Sequence, residues 1–368
     1  MISNLIRPAG ILDADAAGKL LSSLTEDQPY VLDFSDVEAI HFAALRKLLN
    51  ARRAGCRFSV INASDAVADR FFDTGVASFV NVCRKPKPLD MSQYEEFGAS
   101  YLSKSYNSVD GDAMMKLYGS NVPKEIVAQE KAVARAVMLF GLPTPLVGTL
   151  YEDGDRTALD FERIPDKRSF SRIIAEEPEQ MEKVTRRFAR MCRQLHETPC
   201  DTALFQDRVL AHRQAVINCK ELTDAEKEPV LAFVDSIPRV TTCLHGDMQM
   251  SNVITTGLED LWIDLGDFGY GHPLLDVAMW YYLTNLTPEE VAQQLFHLGH
   301  EELGRIWDLF VEEYAMAYSR KDKDAFEQAV IPYAALHMLY IGTIYGFIPG
   351  MVDYVKTIFP QTQTNHTS

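Results

Sequence analysis

No Cys-x-x-Cys pair occurs in this sequence. The six cysteines, Cys56, Cys83, Cys192, Cys200, Cys219 and Cys243, stand apart from one another, so the ligand spacing of a structural zinc site is missing. Free thiols in a reducing cytoplasm are the expectation. The start of the chain has no basic stretch followed by an apolar run, as expected of a chain without a secretory signal. A clean run of roughly 20 apolar residues is also missing. The most apolar stretch, residues 333–352, is interrupted by His337, Thr343 and Pro349 and reads as a buried helix. Positive charge is scarce. The chain carries 36 Lys and Arg against 52 Asp and Glu, a net charge of −16. Residues 1–84 hold 9 and 10 of these, so nearly all of the imbalance lies beyond them. An acidic body of this kind excludes nucleic-acid backbones and anionic membranes as partners, and it would tolerate a cationic substrate. No internal repeat or low-complexity segment is visible.

The chain has 368 residues, enough for two or three domains. Its sharpest break is Arg84-Lys85-Pro86-Lys87-Pro88. Two prolines among three basic residues cannot continue a helix or an inner strand, so residues 85–92 are predicted to be a linker. Before it, residues 30–34, 58–61 and 76–82 are predicted strands. Residues 43–54 and 66–74 are predicted helices, the first showing Leu45, Leu48 and Leu49 on one face. Strands alternating with helices imply a sheet with helices against it. After the linker come short strands and a helix over 124–140, closed by Gly141, Pro143 and Pro145. Helical stretches are then predicted over 179–196, 209–236 and 288–319. The polar tail 361–368 is predicted to be disordered.

The N-terminal pattern resembles the STAS domain of anti-sigma-factor antagonists. The resemblance rests on Val31-Leu32-Asp33-Phe34-Ser35-Asp36-Val37, on Leu45 to Leu49, and on Ser59-Val60-Ile61-Asn62. It covers residues 1–84. That family carries a phosphorylatable serine where this chain reads His41-Phe42-Ala43-Ala44-Leu45, with no hydroxyl. A phosphorylation switch is therefore not expected. A docking or stabilising domain is, with a protein partner as its possible ligand.

The chemistry is concentrated in Leu244-His245-Gly246-Asp247-Met248-Gln249-Met250-Ser251-Asn252, followed by Trp262-Ile263-Asp264-Leu265-Gly266-Asp267. Phosphoryl transfer needs an Asp to accept the proton of the attacking hydroxyl, and an Asn and a second Asp to hold the metal ions that bridge the phosphates. In kinases the first Asp and the Asn share a loop with four residues between them, which is the spacing of Asp247 and Asn252. This run resembles the His-Gly-Asp-x-x-x-x-Asn signature of aminoglycoside phosphotransferases and choline kinases. Protein kinases carry Arg where this chain has Gly246, an Arg that reads a phosphorylated activation loop.

The resemblance implies a mixed α/β (α+β) chain: a STAS-like sheet with helices over 1–84, then a bilobal protein-kinase-like domain. Its N-lobe, mostly β, would span 93–165, and its helical C-lobe 166–360. It further implies Asp247 as catalytic base, with Asn252 and Asp264 as ligands of Mg²⁺. Lys116, in Ala113-Met114-Met115-Lys116-Leu117-Tyr118, would hold the ATP phosphates. Glu130 on the next helix would orient it, with Glu125 as the alternative. Phe161 and Arg163 would contact the adenine. The phosphate loop departs from the usual glycine-rich hairpin. It reads Gly98-Ala99-Ser100-Tyr101-Leu102-Ser103, where Ser100 and Ser103 stand in for glycines. Asp267 is either a second metal or amine ligand or a plain loop carboxylate. Asp276 and His245 are expected to be structural, and so is His196. Trp280, Tyr281 and Tyr282 either line an amine pocket or belong to the core. The expected reaction transfers the γ-phosphoryl group of ATP to a small-molecule hydroxyl. The alternative is a regulatory pseudokinase that binds a partner protein through its STAS-like domain.

Overall fold

The computed structural model describes residues 4–25, 29–99, 102–202, 205–257 and 259–360. The tail 361–368 and Ser100 lie outside them. The chain divides into two compact units, residues 1–166 and 167–368.

The first unit begins with β1 (Leu5–Ile6), β2 (Ala9–Leu12), α1 (Ala14–Ser22), β3 (Pro29–Asp33), β4 (Asp36–Ile40), α2 (Phe42–Arg53), β5 (Arg57–Ala63), α3 (Asp65–Asp73) and β6 (Asn81–Arg84). Local caps start two of the helices. Asp13 accepts from the amides of Asp15 and Ala16 ahead of α1, and Ser64 accepts from Val67 in α3. Strands β1, β3, β5 and β6 lie side by side in that order, all parallel. Residues 76–82, predicted as one strand, open with a 3-10 turn at Val76–Ser78. Gly75 turns the chain there at a φ of 71°, and pairing begins only at Asn81.

Then come β7 (Lys87–Pro88), β8 (Tyr94–Ala99), β9 (Ser103–Ser108), β10 (Ala113–Tyr118), α4 (Lys124–Leu139), β11 (Val147–Asp153) and β12 (Arg156–Glu162). The strands form a six-stranded sheet ordered β7-β11-β12-β10-β9-β8. The predicted linker is thus woven into this sheet. Lys87–Pro88 pairs parallel with Tyr151 and Glu152 at the sheet edge, where a proline is tolerated. Alternation along the parallel strands divides the core. Leu32, Phe34 and Val60 pack with Leu45, Leu48 and Phe71 of α2 and α3. Val31, Ile61 and Cys83 point to the other face, against Val127, Ala128 and Ala132 of α4. A parallel sheet buried on both faces explains the unbroken apolar run of β3.

The second unit contains β13 (Arg168–Ser169), α5 (Phe170–Glu176), α6 (Met181–Glu197), β14 (Gln206–Asp207), α7 (Arg208–Asn218), α8 (Asp224–Ser236), β15 (Thr242–Leu244), β16 (Val253–Thr255), β17 (Asp260–Trp262), β18 (Gly269–Gly271), α9 (Leu274–Tyr281), α10 (Glu289–Phe296), α11 (His300–Tyr314), α12 (Arg320–Tyr345) and α13 (Met351–Ile358). Two predicted helices are each broken in two. The stretch 209–236 stops at Asn218 and restarts behind a capping box made by Thr223 and Glu226. The stretch 288–319 breaks at His297, which adopts a left-handed φ of 58°. Two small three-stranded sheets, β13-β16-β17 and β14-β18-β15, sit among the helices. Trp280 and Phe188 form the core between α6, α9 and α11, with ring centroids 5.3 Å apart. Among the described residues no helix is long and apolar enough to cross a membrane.

Candidate active site

In the first unit, Lys116 stands in the middle of β10, paired with Leu159 on one side and Ser105 on the other. Its ammonium lies 3.5 Å from Glu130 on α4, and 5.7 Å from the centre of the Phe161 ring. The second Glu130 oxygen accepts from the Tyr118 hydroxyl at 2.7 Å. Glu125 faces elsewhere, 3.9 Å from Arg7. Tyr118 therefore fixes the carboxylate that meets Lys116, and both members of that pair are largely shielded from water. Gly98 lies on β8 beside an irregularity in its pairing with β9, and Ser103 begins β9 opposite Tyr118. Arg163 reaches back to the 108–112 hairpin, its guanidinium 3.4 Å from the Gly111 carbonyl.

In the second unit, the segment between β15 and β16 carries Asp247 and Asn252. Its fixed point is Asp276 on α9, which is 2% exposed. One Asp276 oxygen accepts the amide of His245 at 2.6 Å, and the other accepts the amide of Gly246 at 2.9 Å. His196 from α6 donates to the same carboxylate at 3.1 Å, and the Tyr314 hydroxyl lies 2.7 Å from the other nitrogen of that ring. Burial alone would raise the Asp276 pKa, but these donors hold it below the ordinary carboxylate range. The His245 ring spans the loop. Its Nε2 donates to the Ile263 carbonyl at 2.9 Å, and its Nδ1 accepts the Asp247 amide at 3.3 Å. Neither nitrogen is free to act as a base.

Asp247 is oriented from two sides. The Asn252 amide donates to its Oδ2 and to its backbone carbonyl, each at 2.9 Å. The Gln249 amide donates to both carboxylate oxygens, at 3.1 and 3.3 Å. Burial pushes the Asp247 pKa above the ordinary aspartate value, and the charges of Asp267 and Asp264 add to the push. His245 and Asn252 pull the other way. A carboxylate that is oriented, desolvated and raised in pKa suits a general base. With its nitrogen committed to Asp247, Asn252 keeps its amide oxygen as a donor toward a cation. Asp264 follows β17, exposed, with a left-handed φ of 57°. An amide oxygen and a carboxylate suit Mg²⁺, which takes few protein ligands when phosphates complete its shell. Among the described residues no group of three His, Cys, Asp or Glu side chains could hold a metal unaided.

Gly246 has a backbone reason to be glycine. Its φ is 83°, and a Cβ there would lie 2.1 Å from the Asp267 carbonyl oxygen. Any side chain, including the arginine of protein kinases, would push the segments that carry Asp247 and Asp267 apart. Asp267 is tied into the fold through one carboxylate oxygen. Its Oδ1 accepts from the buried Arg208 at 2.9 Å and from Tyr340 at 3.1 Å. Arg208 and Tyr340 were not legible as site residues, because their partner lies 59 and 73 positions away. The one local hint is Gly269, where a Cβ would lie 2.8 Å from Arg208 side-chain atoms. Trp280 is fully buried and Tyr282 nearly so, while Tyr281 sits edge-on to Trp307. Trp280 and Tyr282 are core, and Tyr281 is partly buried.

The sequence model described as "Phosphotransferase enzyme family" (APH) matches residues 94–310, more than half of the chain, and the chain belongs to that family. No curated protein matches it significantly. Similar solved structures include a thermostable mutant of aminoglycoside phosphotransferase APH(4)-Ia, at 15% identity and a TM-score of 0.48, covering 72% of this chain and 90% of that one. Another is the amicoumacin kinase hAmiN in complex with AMP-PNP, Ca²⁺ and Ami, at 11% identity and a TM-score of 0.46, covering 80% and 94%. A third is a choline/ethanolamine kinase family protein from Mesorhizobium loti, at 16% identity and a TM-score of 0.44, covering 72% and 85%.

Proposed function

We propose that this chain is an ATP-dependent kinase that phosphorylates a hydroxyl group of a small molecule. The observation that carries this reading is Asp247, held by Gln249 and Asn252 on a loop that Asp276 suspends by two backbone amides. The acceptor oxygen attacks the γ-phosphorus and forms the new P–O bond. The bond from that phosphorus to the β,γ-bridging oxygen breaks, and ADP leaves with the electron pair. The hydroxyl proton passes to Asp247. Lys116 neutralises the α- and β-phosphates, and Glu130 fixes its position. Gly98, Ser100 and Ser103 form the phosphate loop, and Phe161 with Arg163 flanks the adenine. Asn252 and Asp264 would hold Mg²⁺, whose charge offsets that of the phosphates.

Residues 1–84 are proposed to be a STAS-like docking or stabilising domain. Their parallel sheet with helices supports this. The missing hydroxyl at the start of α2, where His41 and Phe42 stand, is a departure from that family and argues against a phosphorylation switch. The free thiols fit a cytoplasmic setting. A second reading, a regulatory pseudokinase, is favoured by one feature only, the glycine-poor loop from Gly98 to Ser103.

The deciding experiment screens hydroxyl-bearing metabolites and amino sugars for ADP release, alongside Mg-ATP thermal shifts. Acceptor-dependent ADP release supports the kinase. A thermal shift with no ADP from any acceptor supports the pseudokinase.

A further inference from the structure

A cavity of about 210 Å³ lies between the parallel sheet of residues 1–84 and helix α4, lined by Phe72, Asn81, Arg84, Lys131, Arg135 and Gly148 among others. The whole cavity is inside the first unit. Its walls are positive in a protein whose net charge is −16. Lys131 and Arg135 are one helical turn apart on α4, so both project toward the same side. Neither makes an ion pair or hydrogen bond with another described side chain. Arg135 instead lies over the Phe72 ring, 4.9 Å from its centre. Arg84 also lies over that ring, at 5.1 Å, but is already neutralised by Asp65 and Asp69 at 3.0 and 2.7 Å. The carboxylate whose charge acts on Lys131 is Asp160, which is committed to the Thr149 amide and the Tyr151 hydroxyl. Cys83, a neutral thiol whose pKa burial raises, completes the titratable surroundings. Asn81 also lines the cavity and is 8% exposed.

Two partly buried cations without an ion-pair partner among the described residues are costly unless something supplies negative charge and acceptors. Burial already depresses the pKa of Lys131 and of Arg135, as expected of charges held without compensation. An ammonium, a guanidinium fork and an amide N–H form a donor set for a phosphate or carboxylate group. The volume is below the roughly 300–1,000 Å³ of sites for drug-sized ligands, so a nucleotide is too large.

We propose that this cavity binds a compact dianion, either a phosphate monoester or a small dicarboxylate, through Lys131, Arg135 and Asn81. The occupant joins β6 to α4, the helix that carries Glu130. Its effect on the Lys116–Glu130 pair rests on the kinase reading. Its binding does not.

The test is calorimetric titration of the full chain with inorganic phosphate and, separately, with succinate, without nucleotide. The wild type is expected to bind one of the two with a 1:1 stoichiometry. Lys131→Met and Arg135→Gln should each weaken binding about 10-fold or more, the loss of one charge-assisted contact. Neither variant should melt below the wild type, since removing an uncompensated buried charge is neutral or stabilising. Lys116→Met should bind the anion as the wild type does, which separates this cavity from the nucleotide phosphate site. The arm that binds identifies phosphate or carboxylate as the chemistry. The proposal is overturned if neither anion binds at millimolar concentration. It is also overturned if the Lys131 and Arg135 variants bind unchanged, or if Lys116→Met abolishes binding.

Discussion

Acid should destabilise the second unit through two histidines. His212 and His337 are 2% and 3% exposed, with ring centroids 6.2 Å apart. The His212 Nδ1 donates to the Arg208 carbonyl at 2.7 Å, and the Nε2 atoms of both rings are buried without a partner. Burial, followed by the nearby Arg208 charge, lowers their pKa values from 6.5 to about 3 for His212 and about 4 for His337. Both folded-state values lie below the ordinary one, so the unfolded chain takes up protons first. Stability is then complete above pH 6.5 and falls as pH drops toward 4. At pH 5 each histidine costs about 2 kcal/mol relative to pH 7.5, at roughly 1.36 kcal/mol per pKa unit. The pair together costs about 4 kcal/mol. The assay is urea unfolding of the second unit's signal at pH 7.5 and pH 5.0, for the wild type and for His212→Asn/His337→Gln. Asn at position 212 keeps a donor for the Arg208 carbonyl. The double variant should lose about 4 kcal/mol less than the wild type across that interval, since every other titrating group is common to both. Equal losses in the two proteins would refute the reasoning.

Three further outcomes follow from the site. Glu130→Gln removes the carboxylate 3.5 Å from Lys116 and should raise the KM for ATP about 10-fold, with a smaller change in kcat; an unchanged KM would count against the assignment. Gly246→Ala brings a Cβ against the Asp267 carbonyl at a φ of 83°, so kcat should fall about 100-fold or more for a modest loss in melting temperature. A variant with wild-type kcat would mean that the loop is placed differently. Since burial raises the Asp247 pKa, the acid limb of kcat/KM should have its midpoint above the ordinary aspartate value of about 3.9. A limb at or below that value would remove the physical case for Asp247 as base.

The sequence reveals most where chemistry is local. Asp247 and Asn252 share one short loop, so their spacing along the chain already carries their geometry. Lys116 and Glu130 sit on consecutive elements, and order alone suggests the pair. The choice of Glu130 over Glu125 needed Tyr118, which holds one carboxylate and ignores the other. Long-range partners were hidden. Apart from Gly269, nothing near Asp267 announces that Arg208 and Tyr340 will bind it. Periodicity also failed where a single backbone angle decided the outcome. Gly75 and His297 each adopt a positive φ that breaks an otherwise continuous pattern. The Pro-rich 85–92 segment reads as a linker because its pairing partner, β11, lies more than 60 residues further along the chain. The elements over residues 5–22 are short or weakly patterned, and β1 becomes a strand only because β3 is there to pair with it.

The central claim is that Asp247 accepts the proton of an acceptor hydroxyl during phosphoryl transfer. Its most direct test is a single-turnover measurement of ADP formation by Asp247→Ala, with Mg-ATP affinity measured on the same preparation. The account predicts that phosphoryl transfer falls at least about 100-fold while Mg-ATP binds within a few-fold of wild type. Turnover that survives the substitution at near wild-type rate would contradict it.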